Sequence, residues 1–408
     1  LVLLGDFMHF SDQTIRFGMI LRTFAVFLLV PILLGGVARS CFAQDGDKEA
    51  PAEETAPKSK YLQDAPDKAL QKSWNQIRQI LQEGKFSTPA AKTQFDNYFV
   101  NYEFKAWTLD DNLPKLVAMR NQLKNNFRQA KSGQVYDRLN ELTVEVLGKK
   151  LKNNKYSPTF LVNAILAIGD LNKTQGGPGV PLEPLPAALT VLLETLKDER
   201  QLDAVKVAAL AGIRHQIAYG VKDPAITAAL VKLASSKEKS DGKVWMKKQS
   251  VELLGMLQSP GPNNQVADLL FSILDDKKAT IDMRCAAAEA FGKINLSNSN
   301  IDASKTIVDL KQLMVEGCEA ELKAAEKESV GVSRRMMKTY YDAVTLAIGD
   351  STKGLISIIN AQNPPNAKQQ LTDLQGALKE LFTTLDNGES SDDDLKEAVE
   401  TAKKKLKK

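Results

Sequence analysis

The amino-acid sequence predicts an all-α protein built as a solenoid of stacked helix pairs. Three observations carry this reading. Apolar residues recur at three- and four-residue spacing from Pro66 to the C-terminus. No stretch shows sustained strand alternation, and no turn signal is flanked by β-branched runs. From Gln134 onward one unit recurs: an apolar helix, a short polar break, and a second helix rich in alanine that ends near glycine.

Composition bounds the rest. The chain has 408 residues, 43% hydrophobic and 25% charged, which excludes wholesale disorder, collagen and a polytopic membrane protein. Its 54 basic and 50 acidic residues leave a net charge of +4, so binding nucleic acid through bulk charge is disfavoured. Two histidines and three cysteines offer little material for a metal centre or a histidine-dependent mechanism.

The N-terminal region reads as an export signal. Met19 begins the better-formed reading frame, which makes residues 1–18 a mis-started leader. Arg22 supplies a short positive segment, and Phe24 to Leu34 is an unbroken apolar run. Small residues then lead to a cleavage site after Ala43. The run falls short of the ~20 residues a spanning helix needs, so membrane contact is expected only in transit. Arg39 spoils a lipobox at Cys41. Residues 44–60, charged and rich in Ala and Pro, read as a disordered linker.

Residues 61–130 read as an N-terminal helical cap. Leu70, Trp74, Ile77 and Leu81 share a helical face, and Gly84 can end that helix. Thr88-Pro89 reads as an N-cap with proline at the first helical position, where its missing N–H costs nothing. Phe95, Phe99 and Tyr102 then fall on one face, so the aromatic cluster from Phe95 to Trp107 is expected to be core rather than a ligand platform. Leu116, Met119, Leu123 and Phe127 mark the next helix.

Residues 131–360 hold about five units. The first helices show stripes such as Val135, Leu139, Leu142 and Val146. The second helices align on small residues: FLVNAILAIGDL (160–171), AVKVAALAGIRH (204–215), MKKQSVELLGML (246–257), MRCAAAEAFGKI (283–294) and MKTYYDAVTLAIGD (337–350). Their starts lie about 40 residues apart, a usual two-helix period. The last, longer interval fits a long helix pair around Val315 to Met336. Stacking such pairs buries faces that one pair cannot, and alanines permit close approach.

Leu274-Asp275-Asp276 followed by Met283-Arg284-Cys285-Ala286-Ala287-Ala288 and closing Phe291-Gly292-Lys293-Ile294 resembles the HEAT-repeat family, within the HEAT and armadillo class. Val205-Lys206-Val207-Ala208-Ala209 matches in part, with Lys206 where arginine is usual, and the 160–171 unit lacks the basic residue. The resemblance spans residues 134–350 and implies a right-handed α-solenoid that binds other proteins. It also implies that basic residues near the starts of second helices pair with acids of neighbouring units, for which Asp275 and Asp276 are available.

The tail, residues 361–408, reads as helical. Ser391 to Asp394 begin its last helix and the lysines from Lys403 end it, charges that suit the helix dipole. A solvated, frayed end is expected in preference to a lysine patch on an anionic surface.

Little chemistry is legible. Pro178, Pro181 and Pro184 remove donors around Gly176, Gly177 and Gly179, so that segment reads as a linker and not a phosphate cradle. His215 is expected on a helix surface without a nucleophile beside it, and Asp110-Asp111 at a helix cap. Cys285 and Cys318 are a candidate disulfide or two buried thiols. Lys247, Lys248, Arg334, Arg335 and Lys338 form a candidate binding surface. No catalytic, cofactor or metal residue is assigned. The expectation is a non-catalytic, exported, periplasmic scaffold that binds a protein or peptide along its repeats. The alternative is a cell-envelope accessory that binds a lipid or glycan surface.

Overall fold

The computed structural model describes residues 59–407, apart from Lys239. The expected leader, signal peptide and cleavage site, and most of the expected linker, fall outside the described residues. The described part is mostly helical, with each helix packed against neighbours. None of its helices is long and apolar enough to cross a membrane.

The predicted cap begins with an extended strap. The Leu62 N–H donates to Lys155 O at 2.8 Å and the Asp64 N–H to Thr108 Oγ1 at 2.8 Å. The Asp64 carboxylate accepts from Lys150 and from the Tyr156 hydroxyl, the latter at 3.0 Å. A 3₁₀ turn, Lys68–Ser73, leads into α1 (Trp74–Glu83). Gly84 ends α1 at φ 66°, a left-handed conformation that favours glycine. The Thr88 hydroxyl accepts the Ala91 N–H at 3.1 Å, capping α2 as the Thr-Pro pair predicts.

Helix α2 runs over Pro89–Asn97, passes through a π-helical turn at Tyr98–Glu103 and ends with Phe104–Ala106. The wider turn adds a residue to the hydrophobic spacing. Phe95, Phe99, Phe104 and Trp107 are therefore the fully buried set, while Tyr102 is only half-buried. Burial supports the core reading of the cluster and corrects which residues form it. Helix α3 (Leu116–Ala130) packs on α1, with Leu123 and Phe127 buried.

The same device recurs in α4, which comprises Gln134–Leu142, a π turn at Thr143–Leu147, and Gly148–Leu151. Here Leu147 is buried in place of the predicted Val146. Helix α5 (Pro158–Gly169) follows. Then comes a small antiparallel ribbon, β1 (Asn172–Thr174) with β2 (Glu183–Pro184), where the sequence reads only as linker. The next helices are α6 (Pro186–Lys197), α7 (Asp203–Ala218), α8 (Pro224–Ala234), α9 (Asp241–Leu257), α10 (Gln265–Asp275) and α11 (Ile281–Phe291). Helix α12 (Ala303–Glu328) has 26 residues, which accounts for the longer last interval, and α13 (Arg334–Ile348) follows it.

Packing has a regular order. The alanine-rich helices α5, α7, α9, α11 and α13 each pack on the next, and each of α7, α9, α11 and α13 also packs on the helix that precedes it. Asp203 lies against Gly242 while Arg214 reaches Glu252, so α7 and α9 run in the same direction. Lys248 to Asp282 and Gly255 to Ala290 give the same sense for α9 and α11. The glycines that align in the sequence sit where these helices approach closely. A Cβ on Gly169 would fall 2.8 Å from Gly212 Cα, and one on Gly255 would fall 2.7 Å from Ala290 Cα. One on Gly292 would collide with the Leu346 carbonyl.

Helices α14 (Gly354–Gln362), α15 (Ala367–Asp386) and α16 (Asp392–Leu406) complete the chain. Helix α16 packs on α12 and α15 through Leu395, Val399 and Leu406. Ser391 and Asp394 form a reciprocal capping box. The frayed end expected from the sequence is thus a docked helix. Lys405 pairs with Glu380 at 3.1 Å and Lys407 with Glu319 at 2.5 Å.

Candidate functional site: a cationic cavity

A cavity of about 200 Å³ opens where α3, α5, α7 and the ribbon meet. Arg120, Lys124 and Arg128 line it from α3. Their four-residue spacing places all three on one helix face. Leu123 and Phe127 lie between them in sequence and contribute apolar wall. Asp170, Asn172, Gln175 and His215 come from the other elements.

Asn172 organises the far wall. Its backbone carbonyl accepts from the Tyr136 hydroxyl at 2.6 Å and from Asn140 Nδ2 at 2.9 Å. Its side-chain Nδ2 donates to the Asp170 carbonyl at 3.1 Å, which leaves Oδ1 as the acceptor toward His215 Nε2, 3.0 Å away. That amide orientation places the histidine proton on Nε2. Burial lowers the His215 pKa, Asp170 opposes the shift, and Lys124 adds to it. The imidazole is therefore neutral at physiological pH. Among the described residues no Ser, Thr or Cys lines this cavity beside the imidazole.

The positive charge is unevenly satisfied. Lys124 pairs with Asp170 at 2.8 Å, with both side chains about two-fifths exposed. Arg120 Nη1 donates to the Asn163 side-chain oxygen at 3.3 Å, while its Nε is buried without a partner. Arg128 Nη1 donates to Asn125 Oδ1 at 3.0 Å. Among the described residues neither guanidinium has a carboxylate partner. The lining carries three cations against one carboxylate.

The structure sends the sequence-nominated residues elsewhere. Lys248 is held by both oxygens of Asp282 at 2.6 Å, and Lys338 lies 3.4 Å from Asp342 on its own helix. Arg334 donates to the carbonyls of Thr384 at 2.6 Å and Ser390 at 2.9 Å, tying the start of α13 to the end of α15. Lys247 is half-buried and Arg335 exposed. Lys248, Lys338 and Arg334 thus make contacts within the chain, and Lys247 and Arg335 make no ion pair among the described residues. His215 is half-buried in a cavity wall, which corrects the helix-surface expectation. Asp110 and Asp111 lie in the first turn of a 3₁₀ helix before α3 whose N-cap is Leu109 with no side-chain cap hydrogen bond, which corrects the cap expectation.

Cys285 and Cys318 are free, buried thiols, so the candidate disulfide is not formed in the structure. Their surroundings differ. Cys285 feels charges of α9 and of its own helix, whereas Cys318 feels Lys403 of α16. Burial pushes both thiols up to about 12.

The predicted charge ladder is present with different partners. Arg284 is fully buried, donates through Nε to the Leu274 carbonyl at 2.8 Å and pairs with Glu316 of α12. Asp275 pairs instead with Lys305 at 2.5 Å. Arg214 bridges to Gln249 at 2.8 Å and Glu252 at 3.1 Å.

Sequence reasoning missed the α3 cations, for which the four-residue spacing of Arg120, Lys124 and Arg128 was the available signal. Asp170, Asn172, Gln175 and His215 have no shared sequence signal, because only the fold brings them to α3. No known protein family, curated protein or solved structure matches the chain.

Proposed function

We propose that the chain is a non-catalytic scaffold that binds a protein or peptide along the face of its alanine-rich helices. In this reading α4–α5, α6–α7, α8–α9, α10–α11 and α12–α13 are five HEAT-like units of a right-handed α-solenoid. Residues 61–130 and α14–α16 cover its ends, and a signal peptide cleaved after Ala43 delivers it to the periplasm. The supporting observation is the side-by-side order of α5, α7, α9, α11 and α13. That order aligns partly exposed charges of both signs, Arg214, Lys248, Glu252 and Asp282, across successive helices. Such a strip gives orientation and discrimination through complementary charge more than through raw affinity.

The envelope-accessory alternative would rest on the aromatic cluster or the tail lysines. The aromatic cluster is mostly core, and two of the tail lysines are paired within the chain.

Crosslinking of the exported protein in intact cells, read by mass spectrometry, tests the scaffold reading. One dominant protein should crosslink through Lys247 and Lys248 and be lost in a Lys248→Glu/Glu252→Lys variant. Recovery of lipid or glycan in place of protein, or an unchanged protein partner in that variant, would overturn it.

A further inference from the structure

We infer that the cavity between α3, α5 and α7 is a binding site for a carboxylate carried on a short apolar group. In a peptide partner this is an apolar C-terminal residue. The inference deepens the scaffold reading by naming the part of the partner that is gripped, and it rests on that reading for the peptide alone.

Charge is the first argument. Arg120 and Arg128 donate to the amide oxygens of Asn163 and Asn125 and have no carboxylate partner among the described residues. A guanidinium offers five donors in a planar fork that matches a carboxylate. Arg120 uses Nη1 on an acceptor at 3.3 Å, and its buried Nε has no partner. Its Nη2 has no hydrogen-bond partner among the described residues, so an oxyanion in the cavity can take those donors.

The apolar wall is the second argument. Leu123, Phe127, Ala167 and Leu171 line the same cavity. Inorganic phosphate has no use for that surface, whereas a short aliphatic chain does. Size is the third. The cavity of about 200 Å³ has room for a group the size of one amino-acid side chain and its carboxylate, and not for a nucleotide.

His215 reports on occupancy. It lines the cavity, and the chain has only one other histidine, His9. Full-length protein carrying His9→Gln and labelled at histidine would be titrated with 4-methylpentanoate, its neutral amide and inorganic phosphate, following the His215 ring resonances. The acid should shift them saturably. The amide and phosphate should bind at least ~10-fold more weakly, the loss expected for one charge-assisted hydrogen bond. Arg120→Gln and Arg128→Gln, each checked for folding by circular dichroism, should weaken the acid by a similar factor.

A leucine-terminated peptide and its C-terminal amide separate the two sources of the carboxylate. Binding of the free-acid peptide alone supports a peptide end as ligand. Binding of 4-methylpentanoate without the peptide keeps the carboxylate site and removes its link to the scaffold reading. Phosphate or the amide binding as tightly as the acid would overturn the inference. So would no saturable shift, or unchanged affinity in both folded variants.

Discussion

Asp309 of α12 is 3% exposed, and its Oδ2 has no hydrogen-bond partner. Burial, followed by the charge of Asp275, raises its pKa from 3.8 to about 6, with Lys305 and Arg284 opposing. The folded protein therefore holds this proton to a higher pH than the unfolded chain does. The stability this confers is complete below pH ~4 and is lost as pH rises through ~6. The shift of about two pH units, at 1.36 kcal/mol each, makes the ionised carboxylate cost about 3 kcal/mol at neutral pH. Asp309→Asn removes the charge, keeps the shape, and supplies an N–H donor beside Asp275. The variant should be more stable than the parent by about 2–3 kcal/mol at pH 7.5, with the gain shrinking toward zero at pH 4. Urea unfolding followed by circular dichroism at both pH values measures this. A variant less stable at pH 7.5, or one with the same advantage at both pH values, would refute the argument.

Other outcomes follow from the same packing. Arg284→Ala should cost roughly 3–5 kcal/mol in urea unfolding, because it strands Glu316 and the Leu274 carbonyl. Gly292→Ala should destabilise by about 1–3 kcal/mol through its collision with the Leu346 carbonyl. By contrast, Gly376→Ala lies within α15 with open space around it and should stabilise by roughly 0.5–1 kcal/mol. With both thiols buried and pushed up to about 12, Cys285 and Cys318 should resist iodoacetamide in native protein and react fully in denaturant. Rapid native labelling, read by intact mass, would refute their burial.

Local rules read from the chain hold wherever a helix end is decided by its own residues. Gly84, Thr88-Pro89 and the Ser391–Asp394 box end or start helices as their chemistry dictates. The alternation of apolar and alanine-rich helices, and the glycines at which the latter touch, are also local patterns that stacking simply uses. The π turns at Tyr98–Glu103 and Thr143–Leu147 were not legible, because one extra residue per turn leaves no compositional mark and reveals itself only in which side chain is buried. Partner choice was equally hidden. Arg284 was readable as a ladder residue, but Glu316 lies 32 positions away and wins over the nearby Asp275, which Lys305 takes. The cavity is the extreme instance. Its α3 cations follow helical periodicity, whereas Asn172 reaches His215 across 43 residues. Helix content and helix ends follow from short-range sterics and hydrogen bonding, which the sequence carries within a few residues. Charge pairing, burial of the off-period aromatics and the shape of the cavity depend on which helix lies beside which, and tertiary packing alone decides that.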